Sequence, residues 1–148
     1  MNDIPKGRTK ADIKARELFI KDFYAQWISK HPDKKVWNRD MGLFIHIKFI
    51  SINETYEKAA RNYESTLAVI NLTEILENAA KISEKQTDPK TRNQKSFEKM
   101  IMLKHGEVKL MVGLQRSNQE MVQYCITVPQ KSVSKKKAIT PEWWLVLV

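Results

Sequence analysis

Apolar residues recur at helical spacing through Ile13, Ile20, Phe23, Tyr24, Trp27 and Ile28 and stop at Pro32. Thr9 followed by Asp12 has the form of a capping box, so the spacing predicts an amphipathic helix that starts after Thr9. Residues 31–40 hold Pro32, Asp33, Asn38 and Asp40 and read as a loop. Past Gly42 the period drops to two: Leu43, Ile45, Ile47 and Phe49 alternate with Phe44, His46 and Lys48, which predicts a strand. Ser51 and Glu54 repeat the capping signature and open a second helix expected to run to Lys81. Its core stripe is Ala68, Leu72, Ile75, Leu76, Ala79 and Ile82, widened by Leu67 and Ile70. Residues 83–96 are polar, contain Pro89 and lack any period, so they read as a loop, one that is basic at Lys85, Lys90, Arg92 and Lys95.

The second half changes character. Residues 97–104 are apolar with a polar edge and end at the turn signal His105-Gly106. Val108, Leu110, Val112 and Leu114 then alternate with Lys109, Met111, Gly113 and Gln115, and Val122, Tyr124, Ile126 and Val128 alternate in turn after 117–120. Three strands on tight turns predict an antiparallel meander, one face on the long helix and the other, with Lys109, Gln123 and Thr127, left for solvent or ligand. The fold class expected is α+β, with N-terminal helices followed by a small antiparallel β-meander packed on a central helix. At 148 residues there is material for one core. The expected organisation is a tail over 1–8, one domain over 9–129, and a basic and apolar tail over 130–148.

Charge narrows the partners. A formal net charge of +9 favours polyanionic partners such as RNA, DNA or anionic membrane, because each neutralised phosphate releases a counterion. Charge alone does not choose among them, and the partner expected is RNA, with DNA as the alternative. Lys90, Arg92, Lys95, Lys109 and the run Lys135, Lys136 and Lys137 are the candidate nucleic-acid-binding residues. The single Cys125 makes no internal disulfide and no Cys/His cluster has zinc spacing, which fits a reducing cytoplasm. The start of the chain lacks a signal-peptide core, and the apolar end Trp143 to Val148 is too short to span a bilayer, though it suits contact with a partner.

No grouped glycines cradle a phosphate, and there is no nucleophile elbow, HExxH or EF-hand. What remains is chemistry that needs no metal and no cofactor. Cleavage of RNA by its own 2′-hydroxyl requires a proton acceptor, a proton donor and cations that hold the phosphorane charge. His46, Glu54, Lys104, Arg116, Tyr124 and Thr127 are the candidate catalytic residues, with Lys48 and His105 nearby. Each also has a plainer role. A histidine in a strand or turn is commonly structural, Tyr124 runs in phase with core positions, Thr127 suits a strand by shape, and Glu54 suits a helix N-terminus.

The segments GLFIHIKFISINETYEKA, LTEILENAAKI, GEVKLMVGLQR and VQYCITV, within residues 42–128, resemble the mobile-element branch of the barnase/EndoU/colicin/RelE-like nuclease superfamily. The resemblance implies an active site at the helix start and the sheet, here Glu54, Arg116, Tyr124 and Thr127. Beside Glu54, where such domains often place Lys or His, this chain has Asn53, a change that would weaken or abolish cleavage. The expectation is a toxin-type, metal-independent ribonuclease in which Arg116 and Lys104 stabilise charge and His46 or Glu54 moves protons. Two alternatives stand beside it: a noncatalytic nucleic-acid-binding accessory protein of a mobile element, and a protein-interaction module that docks an antitoxin or other partner through Trp143-Trp144.

Overall fold

A computed structural model describes residues 4–87, 90 and 94–129. Helix α1 (Lys10–Lys30) opens on the expected capping box, with the Asp12 N–H donating to Thr9 Oγ1 at 3.1 Å and the Thr9 N–H to the Asp12 carboxylate at 3.4 Å. Its stripe buries Ile20, Tyr24 and Trp27 and packs Ile13, Phe23 and Ile28 at the margin. Arg16 is buried with them, a position that apolar spacing does not reveal. Its Nε donates to the Ala60 carbonyl at 2.7 Å, and Nη1 donates to those of Pro5 and Gly7 at 2.6 and 2.8 Å.

Residues 35–38 are a strand rather than part of a loop. Strand β1 (Lys35–Asn38) pairs antiparallel with β2 (Leu43–His46), and four residues are too few for alternation to stand out between Asp33 and Asp40. Tertiary contact fixes the strand: the Asn38 side chain is fully buried, donates to the carbonyls of Leu76 and Ala79 at 2.8 and 2.9 Å, and accepts from the Met41 N–H at 2.7 Å. The second strand stops at His46 instead of continuing to Phe49. The reason is a cap one turn earlier than expected, in which the Lys48 N–H donates to Ser51 Oγ at 2.9 Å and Phe49 becomes the first residue of α2 (Phe49–Ala59).

The long helix expected to reach Lys81 is three short ones, α2, α3 (Tyr63–Val69) and α4 (Leu72–Asn78), followed by β3 (Ala80–Gln86). Asn62 starts α3 by accepting the Ser65 N–H at 2.7 Å, which resets the helical phase. Ala68, Leu72, Ile75, Leu76 and Ala79 still reach the core, but Leu67 and Ile70 are exposed and Ile82 lies on β3, also exposed. Strand β3 replaces the first part of the expected loop. It is exposed along its whole length, so no face of it had to be apolar.

The meander exists as β4 (Phe97–His105), β5 (Val108–Gln115) and β6 (Met121–Thr127), inside a six-stranded sheet of order β1-β2-β6-β5-β4-β3. The sheet is mixed rather than antiparallel, because β2 runs parallel to β6 through Ile45↔Met121 and His46↔Val122. Beyond Val122 the edge of β6 is covered by helices. The Ser51 hydroxyl donates to the Gln123 carbonyl at 2.5 Å, and the Val128 N–H donates to Ser65 Oγ at 2.7 Å. The α+β class is as expected, and the main core lies between the helices and one sheet face, around Ile20, Tyr24, Ile45, Leu76, Leu110 and Ile126.

A bulge in β6 reverses which of its side chains face that core. Met111 pairs with Cys125 and Val112 with Gln123, so Tyr124 is one residue too many and the alternation shifts. Gln123, expected on the solvent face, is fully buried: it accepts from the Tyr24 hydroxyl at 2.8 Å and donates to Thr55 Oγ1 at 2.7 Å. Tyr124 joins Phe97, Met100, Val122 and Cys125 in a second cluster. Gly113 permits that cluster, since a Cβ there would stand 2.7 Å from ring carbons of Phe97.

Candidate nucleic-acid interface

The sheet face turned away from the main core is defined by strand register. One row crosses all six strands as Lys35, His46, Val122, Gly113, Met100 and Lys85, apolar in the middle and basic at both ends. Alternation places Trp37 and Phe44 on the same face as Lys35 and His46, because Val36, Asn38 and Ile45 between them are buried. Trp37 and Phe44 pair across the hairpin with ring centroids 5.1 Å apart and planes at 79°, and Lys35 Nζ stands 4.4 Å from the Phe44 centroid.

The six residues proposed for catalysis fall into separate places on this scaffold. Lys104 and Thr127 are joined through Lys109 in one cross-strand row at the β4–β5 turn end. Arg116 is exposed beyond the other end of β5, with its Nε donating to the Lys95 carbonyl at 3.3 Å. The length of β6 separates that end from Thr127, roughly 20 Å at the usual rise of a strand. Arg116 and Thr127 therefore do not share a cleft. His46 sits near the Arg116 end, 3.9 Å from the Glu120 carboxylate, which also accepts from Lys48 Nζ at 2.5 Å. Burial lowers the His46 pKa, Glu120 opposes the shift, and Lys48 and Lys35 add to it, so the imidazole is held toward its neutral form. His105 is engaged elsewhere, at 3.1 Å from Glu74.

Glu54 and Tyr124 do meet. Glu54 is almost fully buried on α2, pairs with Lys58 one turn on, and hydrogen-bonds the Tyr124 hydroxyl. Burial first and this carboxylate second raise the Tyr124 pKa, which keeps the phenol protonated. Burial pushes the adjacent Cys125 thiol up to about 11, so it is an inert packing group rather than a nucleophile. A cleft of about 360 Å³ borders Glu54 and is lined by Phe49, Ile50, Asn53, Glu54, Tyr56 and Glu57. Two carboxylates and no cation line it, which disfavours a phosphate there.

Among the residues named for nucleic-acid binding, Lys90 and Lys95 are exposed and Lys109 is half-buried in the row with Thr127, while Arg92, Lys135, Lys136 and Lys137 lie outside the described residues, as does the apolar end from Trp143. The sequence reading missed Lys35, Trp37 and the pairing of Trp37 with Phe44. The signal was weak: Val36 and Trp37 favour a strand, but Lys35-Val36-Trp37-Asn38 does not alternate and turn-forming neighbours flank it. Among the described residues no group of three or more His, Cys, Asp or Glu could hold a metal, and no helix is long and apolar enough to cross a membrane.

Fold and surface together define a small α+β domain with one helix-covered sheet face and one face that is basic at its margins. The chain belongs to the large polyvalent protein-associated domain 3 family, whose model matches residues 11–121, and which is associated with mobile elements. The family match points to a mobile-element association and does not itself point to a nuclease superfamily. No curated protein and no solved structure matches the chain.

Proposed function

We propose that this domain is a noncatalytic nucleic-acid-binding accessory of a mobile element. The observation that carries the reading is the distribution of polar groups on the sheet face turned away from the main core. Cations stand at its margins, at Lys35, Lys85, Lys104 and Lys109, while the groups a phosphoryl-transfer centre needs are spread over the length of a strand. Binding tolerates such dispersion because each phosphate contact acts separately, whereas catalysis needs its groups within hydrogen-bond reach of one reacting atom. The net charge of +9 and the mobile-element family support the same reading.

One observation favours the second reading, a metal-independent ribonuclease: the contact of Glu54, Lys58 and Tyr124, which unites a carboxylate, an ammonium and a phenol. A single experiment separates the two. The full chain is titrated onto labelled RNA and DNA in EDTA over a range of salt, and the RNA is then run on a denaturing gel. The accessory reading expects log K to fall linearly with log salt and the RNA to stay intact. Fragments with cyclic-phosphate ends that vanish in Glu54→Gln and Tyr124→Phe establish the ribonuclease instead, and absence of binding to either nucleic acid at low salt removes both.

A further inference from the structure

The β1–β2 hairpin carries two large aromatic side chains on the face turned away from the main core. Val36, Asn38 and Ile45 supply the inward contacts, yet Trp37 and Phe44 are 48% and 41% exposed on the opposite face. Water contact with that much ring surface is unfavourable, and nothing among the described residues covers it. The rings meet edge to face, so the pair leaves π surface open, and Lys35 already holds a cation against Phe44. Lys34, before the strand, and Arg39, after it, are exposed as well, so cations flank Trp37 along the chain on both sides.

We propose that this hairpin face is a stacking platform for an unpaired base of single-stranded nucleic acid. Trp37 takes the base, and Lys35, with Lys34 or Arg39, takes the flanking phosphates. The proposal rests on the nucleic-acid reading above and names the ligand class and the place. An aromatic group bounded by cations fits a chain with bases on one side and phosphates on the other. A duplex hides its base faces in its own stack, so the platform discriminates against it, while the dispersed lysines do not. Lys48 plays a smaller part, because Glu120 holds it.

The test uses the full chain and fluorescein-labelled oligonucleotides of equal length, one unstructured single strand and one duplex, read by anisotropy at several salt concentrations. Trp37→Ala is expected to weaken single-strand binding by about tenfold, the range of one lost base stack, with duplex affinity and its salt slope unchanged. Trp37→Phe should keep most of the affinity, and Phe44→Leu should show a smaller loss of the same kind. Circular dichroism confirms that the variants are folded. If Trp37→Ala binds the single strand as the parent does, or loses single strand and duplex equally, the platform is wrong while the broader reading stands. If the parent chain binds neither oligonucleotide, both readings fall.

Discussion

The two edges of the sheet are built in opposite ways. Strand β1 is four residues long, pinned through a buried Asn38, and shows Trp37 on its outer face, against Phe44 of β2. Strand β3 is seven residues long, exposed along its length, and displays mostly charged and polar side chains, with Lys81 and Lys99 both paired to Glu84. Charge on an exposed edge discourages pairing with other chains, and β3 fits that description. An edge that instead exposes Trp37, beside Phe44 of β2, accepts the hazard such chemistry avoids, in keeping with the ligand proposed for the hairpin. The anchor beneath it has the matching purpose of holding those rings in place.

This contrast can be broken from the anchor outward. Asn38→Ala should have the largest effect, because it strands two carbonyls and one N–H in a buried setting. A loss of about 2–4 kcal/mol is expected from urea unfolding. A value under about 1 kcal/mol would mean that the hairpin is held by its strand pairing alone. Ser51→Ala removes the cap of α2 and the bond to the Gln123 carbonyl, at the seam where β2 gives way to the helix. About 1–2 kcal/mol is expected there, read by the same method.

A smaller effect is expected from pH. Glu120 has a lowered pKa, chiefly through its bond from Lys48, so its contribution is present above the unfolded carboxyl value and is lost as pH falls through the folded one. His46 is lowered too, chiefly by burial, so the unfolded chain takes up the proton first and stability declines as pH drops below about 6.5. Both groups act in one direction, so acidification lowers stability. Denaturant midpoints measured from pH 7.5 to 4 should fall, and His46→Gln should flatten the upper part of that curve while leaving the carboxylate part. A midpoint that rises on acidification would contradict both assignments. On the other edge, Ile82→Thr should change stability by less than about 0.5 kcal/mol and Glu84→Ala should leave the denaturant midpoint essentially unmoved, since neither side chain is buried. A larger loss would show that β3 carries more of the fold than its exposure implies.

Legibility in the sequence followed the length of each element and the burial of one of its faces. Helix α1 was legible because Ile20, Tyr24 and Trp27 repeat over several turns behind a Thr9–Asp12 cap. Strands β4 and β5 were legible because each is long, rich in apolar residues and bounded by turn signals. Strands β1 and β3 were not, the first for want of length and the second because an exposed strand has no apolar face to repeat. Of the proposed catalytic set, Glu54 and Tyr124 came together and Arg116 and Thr127 did not, and that separation was legible: a tight β5–β6 turn puts Arg116 at the start of β6 and Thr127 at its far end. The bulge at Tyr124 was hidden, since it exists only in the pairing of β6 with β5.

The sequence by itself determined the α+β class, the capped first helix, the meander and the excess of positive charge, because each depends on local periodicity or composition. Only the tertiary structure decided that β2 runs parallel to β6, that Gln123 turns inward and Tyr124 outward, and that Trp37 stands beside Phe44 on an open face. Those outcomes depend on which backbone finds which partner across long stretches of chain. No local period encodes that choice.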